Sequence, residues 1–264
     1  MSGFVDIHCH LLPGIDDGAK DLEESLAMAW LSVEQGVDTI VVTPHQCGAF
    51  ADNKGDDIRR RTSDLQEHLR TAGVPLKLLP GADVRIEDDL VESIQRGDVL
   101  TLGDHGRHVL LELPHELYFP LEPVLDQLER HGMVGILSHP ERNAGLRQNP
   151  SLIAPLVEYG CLMQVTAGSL LGAFGPTSQA MAESMARQGA IHFLSTDAHG
   201  PKARRPRLAD AHQAAAELVG ERAATLWCRE FPMAVAQGRD VPAGYTHVEP
   251  PKRSIWPFWS RKAA

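Results

Sequence analysis

The amino-acid sequence predicts an α/β fold, with parallel strands alternating with helices and curling into a closed barrel. Three observations point there. Short β-branched or apolar runs are each followed by a polar loop and a helical pattern, and such alternation demands crossover connections and parallel strands. Seven such runs in 264 residues suit a single barrel. Nearly every run ends in an imidazole or a carboxylate, on the face where barrels carry their sites. An open doubly wound sheet is the alternative, because alternation alone does not separate the two topologies.

Taken in order, the strand candidates are Phe4–His8, Thr39–Thr43, Leu76–Val84, Val109–Leu113, Val134–Ser138, Cys161–Thr166 and Ile191–Ser195. The first helix opens on a capping box, Asp21 with Glu24, before Leu22, Leu26, Ala29, Trp30 and Val33, and Gly36 closes it. Further helical patterns cover Ile58–Thr71, Asp88–Gln95, Leu121–His131, Pro150–Tyr159, Ser178–Gln188, Leu208–Val219 and Glu221–Arg229. The barrel is expected over residues 1–246. Residues 247–264 read as a tail, in which Trp256, Phe258 and Trp259 stand among Lys252, Arg253, Arg261 and Lys262, with prolines that discourage a helix. A packed or unstructured tail is one reading, and a membrane-surface or partner anchor is the sharper one.

Composition excludes several classes. A formal net charge of −10 argues against a nucleic-acid-binding face, which needs a basic surface, but leaves room for a local phosphate site. No run of about 18 apolar residues is present, so no membrane span is expected. Phe4–Ile7 is too short for a signal-peptide core and is interrupted by Asp6. Cys9, Cys47, Cys161 and Cys228 lie far apart, as expected of reduced thiols in a cytoplasmic protein.

The chemistry is concentrated at the C-terminal ends of the strands. The first run ends in His8-Cys9-His10, whose imidazoles share a face because strand side chains alternate. Its loop carries Asp16-Asp17-Gly18. Later runs deliver His45, Asp83, Glu112, His139, and finally Asp197 and His199. A single histidine after a strand is usually a loop residue, and Asp17 before Gly18 is a common turn. Glu112 is harder to dismiss, since an unpaired carboxylate within an apolar run is costly. Five of the thirteen histidines at one end of predicted strands, mixed with carboxylates and no thiolates, point to Mn²⁺, Fe²⁺ or Zn²⁺. Nine ligands exceed the needs of one ion, and two or three ions sharing bridging ligands would use them all.

These motifs resemble the PHP family, named for polymerase and histidinol phosphatase. The finer pattern is similar to its bacterial protein-tyrosine-phosphatase branch of capsule and exopolysaccharide synthesis. It is carried by Asp6-Ile7-His8-Cys9-His10, Asp16-Asp17-Gly18, Ser138-His139-Pro140-Glu141-Arg142, Ala167-Gly168-Ser169-Leu170 and Thr196-Asp197-Ala198-His199. The resemblance implies a distorted seven-stranded TIM-like barrel and three divalent ions, most often manganese. It gives His8, His10 and Asp197 to the first ion, and Glu112 and His139 to the second, with Asp83 bridging these two. It gives Asp17, His45 and His199 to the third. The family usually has Glu where this chain has Asp83, which is shorter by about 1.5 Å. Arg142 and Arg205 match the phosphate contacts, with Arg204 the rival of Arg205.

The implied reaction is hydrolysis of a phosphotyrosine protein, with the C-terminal tail of a tyrosine kinase controlling polysaccharide export as the expected partner. Two ions would hold a hydroxide for in-line attack, and the arginines would stabilise the spreading charge. A tyrosyl leaving group, with a conjugate-acid pKa of about 10, needs no strong general acid. A cysteine nucleophile is disfavoured, because no cysteine has an arginine six positions on. Cys9 should face away from its histidine neighbours and pack as a small apolar residue, and Cys47 reads as structural. Substrate choice should lie in loops 46–55, 115–119, 168–175 and 200–206, with Phe50, Tyr118, Phe119 and Phe174 as ring contacts or loop anchors. The alternatives are a small-molecule phosphatase acting on histidinol phosphate and a non-catalytic module binding phosphorylated tails.

Overall fold

The computed structural model describes residues 3–248. The aromatic and basic tail therefore lies outside the described residues from position 249 on.

Among the described residues nine strands form: β1 (Phe4–Cys9), β2 (Val37–Val42), β3 (His45–Gln46), β4 (Lys77–Pro80), β5 (Asp83–Arg85), β6 (His108–Glu112), β7 (Val134–Ser138), β8 (Leu162–Thr166) and β9 (Phe193–Ser195). Every strand pair is parallel, in sheets of order β1-β2-β4 and β3-β5-β6-β7-β8-β9. The sheets meet where Cys9 bridges Ala198, with the His10 N–H donating to Ala198 O at 3.0 Å and the Asp197 N–H to His8 O at 2.7 Å. The first strand thus lies beside the last, and the whole curls into a distorted TIM-like barrel.

The expected run Leu76–Val84 is two strands in different sheets. The chain crosses at Gly81, where a Cβ would stand 2.7 Å from Val41 Cγ1, so only glycine lets it pass so close to β2. The two-residue β3 is too short to announce itself by alternation.

The helices are α1 (Leu22–Glu34), α2 (Gly55–Thr71), α3 (Leu90–Gln95), α4 (Glu122–Arg130), α5 (Ala144–Gln148), α6 (Ile153–Glu158), α7 (Ala167–Leu170), α8 (Pro176–Arg187), α9 (Leu208–Val219), α10 (Glu221–Thr225) and α11 (Phe231–Ala236). At α1 the Asp21 side chain accepts from the Glu24 N–H at 2.9 Å, and Glu24 reaches back to the Lys20 N–H at 3.1 Å. After α10 the expected helix widens into a π-helical turn, Leu226–Glu230, which buries Trp227. Among the described residues no helix is long and apolar enough to cross a membrane.

Two apolar layers hold this together. Inside the barrel, Val5, Ile7, Val41, Leu110, Ile136, Leu162 and Phe193 pack with Leu102 and Val235. Outside, alternate strand residues such as Val109, Leu111, Leu137, Met163 and Leu194 pack with the apolar faces of the helices. The barrel interior changes character along its axis. In β6, β7 and β8 the inward positions after Leu110, Ile136 and Leu162 are Glu112, Ser138, and Gln164 with Thr166, all buried.

In β1 that alternation is interrupted. Asp6 pairs with Ile40 and Cys9 with Val42, so three steps on β1 span two on β2, which is a β-bulge. Val5 and Ile7 belong to the inner layer, whereas Cys9 belongs to the outer one. The bulge therefore resets the parity and turns both His8 and His10 into the barrel mouth. Asp6 anchors it: its fully buried carboxylate accepts from the His8 N–H at 3.2 Å, the Thr196 N–H at 3.1 Å and the Thr196 hydroxyl at 2.5 Å.

Candidate metal centre

His8 and His10 are fully buried, and their Nε2 atoms are 3.3 Å apart. Each Nδ1 is committed elsewhere. That of His8 donates to Gln164 Oε1 at 2.7 Å, and that of His10 to Asp16 Oδ2 at 2.8 Å. With those protons on Nδ1, deprotonated Nε2 atoms would aim two lone pairs at each other, an arrangement that suits a shared cation. Metal-bound histidines are held in just this way, by an outer acceptor on the far ring nitrogen.

All nine expected ligands converge on the same end of the barrel. Four groups each bring one donor atom per residue within 4.8 Å of the others: His8 with His10 and Asp197; His10 with Asp17, His45 and His199; His8 with Asp83 and His139; and His45 with Asp83 and Glu112. Two expected sets thus recur, the second joined by His10. Glu112 and His139, expected together, fall into separate groups although Glu112 Oε1 is 3.9 Å from His139 Nε2. Asp83 belongs to both of those groups, with Oδ2 at 3.4 Å from His8 Nε2, 3.5 Å from His45 Nδ1 and 4.0 Å from His139 Nε2. Asp17 is the exposed member, so its group opens to solvent.

Charge supports the fit to cations. Both oxygens of the fully buried Asp83 lack a hydrogen-bond donor, which is costly unless a cation is drawn in. Of Asp16, Asp17, Asp83, Glu112 and Asp197, only Asp197 is ion-paired to guanidinium groups among the described residues, those of Arg142 and Arg204, and Arg85 lies near Glu112. Burial opposes a charge on His8, yet the carboxylates of Asp197 and Asp83 outweigh it and raise its pKa to about 9. Burial likewise opposes a charge on His45, and the Asp17 hydrogen bond with the Asp83 and Glu112 charges lifts it to about 9. Burial and the nearby Asp83 carboxylate push Glu112 up to about 7. The same field that draws protons onto these rings would hold divalent ions.

Backbone strain gathers here. His139 and Asp197 adopt left-handed φ values of 33° and 49°, which non-glycine residues keep only when their surroundings enforce it. Each lies just beyond the C-terminal end of a strand, and the turn aims its side chain into the mouth. Asp197 divides its oxygens. Oδ1 faces His8 at 3.3 Å, His10 at 3.5 Å and His199 at 3.5 Å. Oδ2 takes the guanidinium groups of Arg142 and Arg204, the latter at 2.5 Å.

Arg204, not Arg205, reaches the cluster. It sits at φ 49°, which turns it inward and its neighbour outward; Arg205 is exposed and makes no ion pair among the described residues. Phe174 lies beneath both inner arginines, with Arg142 4.3 Å and Arg204 5.8 Å from its ring centre. Phe50 stacks on His45 at 5.3 Å. Cys9 is fully buried, and burial raises its thiol well above the usual range; burial also raises Cys47 to about 11. Neither suits a nucleophile.

Two supporting residues are not evident from the sequence. Gln164 interrupts an apolar strand, a signal that an inward polar group has a partner. Asp16 is masked by its neighbour in an ordinary-looking turn. It accepts from His10 Nδ1, the Gly18 N–H at 2.9 Å and the His45 N–H at 3.1 Å, tying β1, its loop and β3 together.

Two cavities flank the cluster. One, of about 240 Å³, is lined by His45, Phe50, Arg85 and Glu112. The other, of about 390 Å³, is lined by Phe174, Thr196 and the basic loop after β9. A more apolar groove of about 280 Å³ between α6 and α8 contains none of the converging imidazoles or carboxylates and is no part of this chemistry.

Comparison with known proteins agrees in extent and kind. The family described as "Capsular polysaccharide synthesis, CpsB/CapC" matches residues 4–237. Tyrosine-protein phosphatase YwqE of Bacillus subtilis is 37% identical over 202 residues, covering 76% of this chain and 79% of that protein. A putative tyrosine-protein phosphatase, CapC of Staphylococcus aureus, is 31% identical over 196 residues, 74% of this chain and 76% of its own. A crystal structure from work on YwqE of Bacillus subtilis and CpsB of Streptococcus pneumoniae, described as metal-dependent tyrosine phosphatases, superposes with a TM-score of 0.87. It is 32% identical and covers 94% of this chain and 100% of that one.

Proposed function

The chain belongs to the CpsB/CapC family of capsular polysaccharide synthesis, and from that premise we propose that it is a metal-dependent protein-tyrosine phosphatase. The observation that carries the proposal is the convergence of nine imidazole and carboxylate side chains on a site edged by two inward arginines.

The ligands we assign are His8, His10, Asp17, His45, Asp83, Glu112, His139, Asp197 and His199, holding three divalent ions with manganese favoured. Four overlapping donor groups support more than one ion, and Asp83 has the position of a bridge even as the shorter acid. When bound, such ions supply Lewis acidity and lower the pKa of a coordinated water. The chain does the rest. Gln164 and Asp16 hold the Nδ1 protons of His8 and His10, so the Nε2 lone pairs stay free for coordination. Arg142 and Arg204 present planar forks where phosphoryl oxygens gather charge. Phe174 backs the guanidinium groups, that of Arg142 more closely than that of Arg204.

A phosphotyrosine protein is the substrate, and we favour the tail of a tyrosine kinase of polysaccharide synthesis because the family is described by that pathway. We assign the domain to residues 1–246, its end held by Thr246, which donates to Gly189 O at 2.7 Å and Ile191 O at 3.0 Å. Four unpaired thiols fit a reducing, cytoplasmic setting.

The test is to measure bound metal and then kcat/KM on a phosphotyrosine peptide, an aryl phosphate and histidinol phosphate. The proposal expects loss of turnover on chelation and in His8→Ala, with preference for the phosphotyrosine peptide. Equal or better turnover of histidinol phosphate would overturn the substrate assignment, and chelator-resistant turnover would overturn the metal mechanism.

A further inference from the structure

We propose that the cavity beside the cluster is a second oxyanion subsite. It takes a carboxylate or a second phosphoryl group carried by a residue flanking the phosphotyrosine. The inference rests on the phosphotyrosine reading and extends it to the kind of sequence the substrate carries.

The cavity, of about 390 Å³, lies within the range of small-ligand sites. It is lined by Lys202, Arg204, Arg205 and Arg207, together with Phe174 and Gly168. Four cations within six residues stand out in a chain of net charge −10. Their partners are unequal. Arg204 is held by Asp197 and Arg207 by Asp210 at 2.6 Å, whereas Lys202 and Arg205 make no ion pair among the described residues. Among the described residues two lining cations thus remain without an ion-pair partner, able to take an anion from outside.

The position ties this pocket to the reaction. Arg204 belongs to both places: its guanidinium rests on Asp197, while the residue itself lines the cavity. Thr196, another lining residue, directly precedes Asp197 in the chain. The two anion positions therefore lie about one arginine side chain apart, which an extended peptide covers in roughly two residues at about 3.3 Å each. Adjacent Arg204 and Arg205 divide the work. The inward arginine edges the scissile phosphoryl site and the outward one faces the flanking anion.

The test uses the metal-loaded full chain and three peptides identical except at the positions flanking phosphotyrosine, which carry aspartate, a second phosphotyrosine or asparagine. Both kcat/KM and Kd, the latter by fluorescence anisotropy, are compared between peptides. Wild type should favour an anionic flank over the neutral one by about three- to tenfold, shrinking as salt is raised. In Lys202→Ala/Arg205→Ala the ratio should fall to near one, with circular dichroism checking that the variant is folded. A gain confined to the aspartate peptide assigns a carboxylate, and one confined to the doubly phosphorylated peptide assigns a phosphoryl group. A ratio of one in wild type, or a ratio that survives in the variant, overturns the subsite. Should wild type turn over none of the peptides, the phosphatase reading fails, and the Kd ratio still decides whether the subsite exists.

Discussion

Asp16→Asn separates a supporting role from a ligand role within one side chain. Asp16 Oδ2 accepts from His10 Nδ1 at 2.8 Å and the His45 N–H at 3.1 Å, while Oδ1 accepts from the Gly18 N–H at 2.9 Å. Asparagine keeps one acceptor oxygen. The better orientation leaves that oxygen with His10 and His45 and turns the amide NH₂ against the Gly18 N–H, donor against donor. One buried hydrogen bond is lost and the bond to His10 loses its charge, a cost of about 1–3 kcal/mol. The His10 ring is then held less firmly and its Nε2 is a weaker donor, which should weaken metal affinity about 10- to 100-fold. Metal competition against a chromophoric chelator measures the affinity, and thermal unfolding in excess chelator measures the packing cost separately. Full wild-type metal affinity in a variant destabilised by the expected amount would refute the reasoning, leaving Asp16 as a turn residue only.

Other perturbations reach different parts of the chain. Gly18→Ala places a Cβ against His10 Cβ and the His10 carbonyl, so we expect a loss of about 1–3 kcal/mol in chelated protein and weakened metal binding, read by unfolding and metal titration. Cys47→Ser should keep kcat/KM on an aryl phosphate within about twofold, since a thiol raised to about 11 is no nucleophile; a loss of about a thousandfold would contradict that. His192 is fully buried, accepts from the Met163 N–H at 3.0 Å and donates to Gly244 O at 2.8 Å, and burial holds its pKa near 4. Its contribution is complete above pH 6.5 and is lost as pH falls from there to 4, amounting to about 3 kcal/mol. Urea unfolding in chelator at about pH 7.5 and about pH 4.5 should show that slope, and His192→Asn should flatten it.

The sequence made the site more legible than the sheet that carries it. A strand-end histidine or acid announces itself by residue type, so all nine ligand candidates can be named without knowing their distances. Barrel topology is written in longer-range terms. Nothing in the apolar run Leu76–Val84 tells which neighbours its two halves will find, and the split depends on how closely Gly81 approaches Val41. The β1 bulge depends on the anchoring of Asp6 by Thr196, 190 residues away, and no local pattern encodes it. Arg204 and Arg205 are the same residue type in the same loop. Which one turns inward is decided by a single φ angle and the pull of Asp197.

The Asp6–Thr196 contact also sets an order of events. The candidate ligands run from His8 to His199, and the donor group at the bulge needs the first strand and the loop after the last one to meet. Until β9 docks beside β1, Asp197 and His199 are absent and the two donor groups that contain them are incomplete. Such long-range closure is the slow part of building a parallel barrel. Occupation of the His8, His10 and Asp197 group is thus a reporter of completion. In a refolding experiment with a metal-sensitive dye, high-affinity uptake should coincide with the slowest folding phase; uptake before β9 is protected from hydrogen exchange would show the reverse order.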